Sequence, residues 1–113
     1  MLYFLAGITA SGKSNLAHKI AIEKNMSILS IDSMAVYKGL DILTAKPTDV
    51  MQAQVQYYGL DIAEPDQNFS IIDYLNYLIE KEIPEKSFNE DILAVGGSGL
   101  YIKSIIDKYE FKP

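Results

Sequence analysis

Apolar and polar positions fall into blocks that alternate between strand-like and helix-like spacing. Residues 2–6 (Leu-Tyr-Phe-Leu-Ala) are apolar throughout, as a strand covered on both faces by helices should be. Residues 13–24 place Leu16, Ala17, Ile20 and Ala21 on one helical stripe, with Lys19, Glu23 and Lys24 elsewhere and Asn25 as the stop. Residues 26–31 read as a second strand ending at Asp32-Ser33. Residues 33–47, with Gly39 and Pro47, read as a long irregular connection, a kind of segment that often carries function. Thr48 is placed to cap a short helix with Val50, Met51 and Val55, and 60–62 reads as a short strand. A turn-rich loop over 64–68 follows. Ser70 with Asp73 forms a capping-box pattern for a helix to about Lys81, with Ile72, Leu75 and Ile79 on one face. Residues 92–95 predict another buried strand, then Gly96-Gly97-Ser98-Gly99, then a helix over 99–108 carrying Leu100, Ile105 and Ile106. Such alternation predicts an α/β fold: three layers around a mostly parallel sheet with right-handed crossovers. Ligands bind such sheets beyond the carboxyl ends of the strands. Segments 7–14, Asp32-Ser33 and 96–99 all follow strand ends, so they are expected to share one cleft.

Composition narrows this picture. A chain of 113 residues suits a single domain, and 49% hydrophobic with 22% charged residues is ordinary for a soluble globule. No apolar run is long enough to span a bilayer. The opening Met-Leu-Tyr-Phe-Leu lacks a basic stretch and reads as a buried strand, not a signal peptide. The absence of cysteine excludes disulfides and thiolate metal sites and fits a cytoplasmic location. A formal net charge of −5 argues against strong independent RNA binding.

The sharpest chemical signal is Gly7-Ile-Thr-Ala-Ser-Gly-Lys-Ser, a complete G-x-x-x-x-G-K-[ST] phosphate loop between a strand and a helix. Its glycines let backbone N–H groups turn toward an anion, and the next helix aims its positive end at the same place. Lys13 adds a full charge, worth roughly 4 kcal/mol near 4 Å at an effective dielectric of ~20 before desolvation. The Ser14 hydroxyl is a candidate Mg²⁺ ligand. A chance Gly-rich turn ending in Lys-Ser is the competing reading, and the flanking pattern speaks against it. Asp32 has three open roles: holding Mg²⁺ through water, accepting a proton from a nucleophile, or capping a helix. Ser33 reads equally as a turn residue. Segment 96–99 permits close approach to a ligand, or equally a tight turn needing positive φ. Lys46, on a loop, is either solvated or within reach of a phosphate. His18 is expected at the surface or an edge, without a role. Tyr37, Tyr57, Tyr58, Tyr74 and Tyr77 are expected to pack, and the acidic residues of 61–66 to sit in a solvated loop.

Five ordered segments carry a resemblance. They are the phosphate loop, Ile31-Asp32-Ser33-Met34-Ala35-Val36-Tyr37-Lys38-Gly39-Leu40-Asp41-Ile42, Thr44-Ala45-Lys46-Pro47, Phe69-Ser70-Ile71-Ile72-Asp73-Tyr74, and Val95-Gly96-Gly97-Ser98-Gly99-Leu100-Tyr101. Together they resemble the amino-terminal half of the tRNA dimethylallyltransferases, also called tRNA isopentenyltransferases, over nearly the whole chain. The resemblance implies a P-loop NTPase-like fold whose loop binds the diphosphate of dimethylallyl diphosphate. It implies transfer of the dimethylallyl group to N6 of the adenosine 3′ of the anticodon in tRNA, with Mg²⁺. It further implies diphosphate binding by Gly7, Thr9, Ala10, Ser11, Gly12, Lys13 and Ser14, and a general-base role for Asp32. The tRNA-contacting edge would be Asp32, Ser33, Met34 and Ala35, with Ser98 beside the reacting groups.

Several positions depart from the family pattern. Ile8 replaces a proline, Ala35 a glutamine, Leu43 a glycine and Ser98 a threonine, and Tyr57-Tyr58 stand where a His pair is usual. Family members are more than twice as long. The chain is therefore expected to be a single core domain over 1–113, without the family's inserted tRNA-gripping helical domain and carboxy-terminal part. It is either a piece of a longer protein or a shortened relative for which assembly into a homo-oligomer is one way to complete a site. Competing functions are an ATP-dependent small-molecule kinase, a non-catalytic relative, and prenyl transfer to a free adenine nucleotide.

Overall fold

The structure, a computed structural model, describes residues 1–6, 13–31, 35–39 and 46–96. Among them four parallel strands form one sheet in the order β1-β4-β2-β3: β1 (Leu2–Ala6), β2 (Ser27–Ser30), β3 (Tyr57–Tyr58) and β4 (Ile92–Gly96). The helices are α1 (Lys13–Lys24), α2 (Asp49–Gln54), α3 (Ile71–Glu80) and α4 (Ile83–Asn89). The strands read at 2–6, 26–31 and 92–95 are present. The helix expected over 99–108 lies outside the described residues.

Alternation along the strands divides the core in two. Leu2, Leu29, Ile92 and Ala94 pack on one face with Tyr74 and Leu78 of α3 and Ile83 of α4. Ile28 and Leu93 point to the other face, where they meet Ala17 and Ala21 of α1 and Val55. The chain is thus a three-layer α/β sandwich, and its strands are apolar on both faces because helices cover both.

Local rules set the helix ends. Thr48 Oγ1 accepts the Met51 amide at 3.2 Å, and Ser70 with Asp73 completes the expected capping box. Asn25 stops α1 at φ 56°, while the Met26 amide donates to the Ala21 carbonyl at 2.9 Å.

Three expectations need correction. The strand placed at 60–62 is instead Tyr57–Tyr58, where the Ile28 amide donates to the Gln56 carbonyl at 2.9 Å and sets the register. The buried face of α3 is Tyr74 and Leu78, with Ile71 and Leu75 half-buried beside them, whereas Ile72 and Ile79 are 66% and 54% exposed. This helix has apolar residues on two adjacent stripes, and the Tyr74 hydroxyl selects one by donating to the Ser30 carbonyl at 2.6 Å. On α1, Leu16 is exposed and His18 is buried, so its stripe is turned from the predicted one. Helix α4 has no counterpart in the sequence reading. It begins after Glu82 at φ 57°, with Pro84 in its first turn, and is only seven residues long.

Leu78→Ala is expected to cost about 2–5 kcal/mol in urea unfolding, while Ile72→Ala changes stability by less than about 0.5 kcal/mol. Equal losses would mean that the α3 face is wrongly assigned.

Candidate functional site

Parallel pairing brings three strand ends together. Ala6 is in register with Gly96, Ser30 with Val95, and the Ile31 amide donates to the Val95 carbonyl at 2.8 Å. Neighbouring strands run about 4.8 Å apart, so the carboxyl ends of β1, β4 and β2 lie within roughly 10 Å of one another. From these ends the chain departs into 7–12, 97–99 and 32–34. Because β1 and β2 both run parallel to β4, the helix joining them must run back down the sheet. Its amino end, at Lys13, therefore starts at this same edge. There is no acidic residue in the first turn of α1. The positive end of the helix dipole is thus left uncancelled by its own side chains there.

The site residues predicted from sequence divide as follows. Gly7, Thr9, Ala10, Ser11, Gly12, Asp32, Ser33, Met34 and Ser98 lie outside the described residues. Lys13 and Ser14 enter as the first backbone positions of α1. Ala35 is 4% exposed, and its carbonyl accepts the Asp61 amide at 3.1 Å.

Gly96 has a packing reason to be glycine. A Cβ there would fall on the Ile31 carbonyl oxygen of the neighbouring strand. Neither a ligand nor positive φ is needed to explain this position. A second tight passage lies at Gly59, where φ is 86° and a Cβ would stand 2.5 Å from the Ser30 carbonyl oxygen.

The loop after the Asp32 segment is fastened. Ile62 and Ala63 donate to the Val36 carbonyl at 2.7 and 2.9 Å, and the Lys38 amide donates to the Ala63 carbonyl at 3.0 Å. Lys46, expected to be solvated or near a phosphate, has a side chain only 5% exposed that is paired with Asp61. A cleft of about 330 Å³ opens beside this pair, lined by Lys46, Pro47, Thr48, Asp49, Gln52 and Asp61. None of these residues belongs to the three strand ends. Asp61 and Glu64 are solvent-exposed in their loop, as expected, and pair there with Lys46 and Lys38.

His18 is the clearest miss among the polar residues. It is 8% exposed, with Nδ1 2.7 Å from the Tyr57 hydroxyl and Nε2 3.0 Å from Gln54 Oε1. A neutral ring satisfies both contacts, with Nε2–H donating to Gln54 and Nδ1 accepting from Tyr57. Burial pushes the Tyr57 hydroxyl above its ordinary pKa. The spacing that signalled an α1 stripe left a histidine within it unweighed. The tyrosines do pack, and their hydroxyls are engaged. Tyr77 accepts the Gly59 amide at 2.8 Å, Tyr37 accepts the Phe69 amide at 3.1 Å, and Tyr58 accepts from Lys86 at 3.4 Å.

Comparison with known proteins points one way. The family model described as IPP transferase matches residues 35–113. The chain is 45% identical to a tRNA dimethylallyltransferase of Helicobacter hepaticus, over 89% of this chain and 34% of that protein. It is 42% identical to one of Francisella philomiragia, over 95% of this chain and 35% of that protein. The full-length tRNA isopentenylpyrophosphate transferase of Bacillus halodurans superposes with a TM-score of 0.82 at 31% identity, covering 99% of this chain and 37% of that structure. The chain thus spans about a third of the length of these relatives.

Gly96→Ala is expected to destabilise the fold by about 1–3 kcal/mol through overpacking against Ile31, read as a lower urea midpoint. An unchanged midpoint would remove the packing account of this glycine.

Proposed function

The chain belongs to the IPP transferase family, and on that premise we propose that it provides the prenyl-transfer core of a tRNA dimethylallyltransferase. The observation that carries this reading is the side-by-side placement of the carboxyl ends of β1, β4 and β2. From them depart the phosphate-loop sequence, the Asp32 segment and the Gly-Gly-Ser segment.

In the proposed reaction the donor is dimethylallyl diphosphate and the acceptor is N6 of the adenosine 3′ of the anticodon. The bond between the dimethylallyl carbon and the diphosphate oxygen breaks, and a bond from that carbon to N6 forms. Diphosphate leaves with the electron pair, and the N6 proton passes to Asp32. Delocalisation into the ring makes N6 a poor nucleophile, so a carboxylate that orients it and takes its proton contributes about 10²–10⁴-fold. Backbone N–H groups of 7–12, the amino end of α1 and Lys13 oppose the charge that gathers on the diphosphate. An adenine must leave its stack to present N6 to such a cleft.

The Ser14 hydroxyl, together with diphosphate oxygens, would offer the hard-oxygen donors that Mg²⁺ takes. When bound, the ion would offset charge on the leaving group. With a net charge of −5, the chain's own grip on tRNA is weak in this reading, and the remaining length seen in relatives would supply the rest. No helix among the described residues is long and apolar enough to cross a membrane. A tRNA substrate and a chain without cysteine support work in the cytoplasm.

The test offers the chain Mg²⁺ and labelled dimethylallyl diphosphate with, in parallel, an anticodon stem-loop, AMP, or ATP plus kinase acceptors. Label in the stem-loop is expected. Label in AMP would favour a free-nucleotide acceptor, and phosphorylated acceptor would favour a kinase. Asp32→Ala is expected to slow single-turnover transfer by about 10²–10⁴-fold with diphosphate binding kept. Lys13→Ala should weaken diphosphate binding. Undiminished transfer by Asp32→Ala would remove the base assignment.

A further inference from the structure

Lys46 lies in the Thr44-Ala45-Lys46-Pro47 segment, to which the proposed reaction gives no task. A lysine side chain only 5% exposed is unusual, because this residue type is rarely buried without a partner. Its Nζ donates to the Tyr37 carbonyl at 2.6 Å and to Asp61 Oδ1 at 2.5 Å. Asp61 sits at φ 53°, a left-handed conformation that aspartate tolerates better than most residues. In that conformation its amide donates to the Ala35 carbonyl at 3.1 Å while its carboxylate meets Lys46.

One ammonium group therefore ties together residues 46–47, 35–39 and 61–63. The second of these stretches begins three positions after Asp32. On the other side of Asp32, Ile31 is fully buried and bonded to Val95. Both flanks of the segment that carries the proposed base are anchored, the downstream one with the help of Lys46. The pair is buried on the lysine side only, since the Asp61 side chain is 45% exposed; such a pair adds little net stability, but its bonds are directional. Methionine would fill nearly the same space without them.

We propose that Lys46 is a positioning residue: its clasp on Asp61 and the Tyr37 carbonyl holds segment 35–38 against 61–63, and so fixes the downstream end of the segment that carries Asp32. The link to catalysis rests on the reaction proposed above. The clasp itself does not.

The test compares the 113-residue chain with Lys46→Met, Asp61→Ala and the double variant, first by hydrogen exchange. The amides of Lys38, Ile62 and Ala63 are expected to exchange at least about tenfold faster in each variant, the double no worse than the singles, with Leu93 and Ala94 in β4 unchanged. Unchanged exchange at those three amides, or equal acceleration in β4, would overturn the clasp. In the transfer assay, Lys46→Met should lower kcat for the stem-loop by about 10–100-fold with half-saturation by dimethylallyl diphosphate unchanged. A rise in that half-saturation with kcat intact would overturn positioning and put Lys46 on the diphosphate. Should the unaltered chain transfer to no acceptor, the proposed reaction falls, and hydrogen exchange alone still decides the clasp.

Discussion

Strand β4 ends against its neighbour so tightly that a single added carbon at Gly96 would occupy the place of the Ile31 carbonyl oxygen. The two strands pair in parallel up to that point, and β1 pairs on the other side with Ala6 opposite Gly96. Backbone hydrogen bonding then leaves little freedom in the relative heights of the three strand ends. The phosphate-loop, Asp32 and Gly-Gly-Ser segments all depart from this common level. The common height of these ends is a consequence of sheet register, which helices on both faces hold by burying apolar side chains.

Outside that level the chain relies on polar contacts that cross between layers. Tyr74 reaches from α3 to the Ser30 carbonyl, and Tyr77 accepts from Gly59. His18 connects α1 to the end of α2 and to β3 through Gln54 and Tyr57. Lys46 and Asp61 perform the same service for the irregular connection after β2. In each case a buried polar group finds a partner with good geometry, which is the condition for burying it at all.

Much of the architecture was legible because it rests on short-range chemistry. The apolar run at Leu2–Ala6, the Ser70–Asp73 capping pair and the stop at Asn25 each name their own structure. The parallel sheet follows from the order of elements. The faces of α1 and α3 were not legible, because Leu16 and Ile72 are as apolar as the residues that pack. The choice between stripes is made by partners distant in sequence, Ser30 for Tyr74 and Tyr57 for His18. Helix α4 escaped notice because seven residues with a proline in the first turn carry little periodicity. For the site, the motif and its ordered companions pointed to a family that the comparisons bear out. The pairing of Lys46 with Asp61 across fifteen positions left no local signal.

The tyrosine contacts also decide what can be seen of this molecule by light. The chain has no tryptophan and eight tyrosines. Its near-ultraviolet absorption and emission therefore come chiefly from phenol rings, and among the described residues five of those rings have hydroxyls bonded between layers or to the loops that flank the sheet. An optical melting curve of this protein is in effect a record of how well its layers stay fastened to one another.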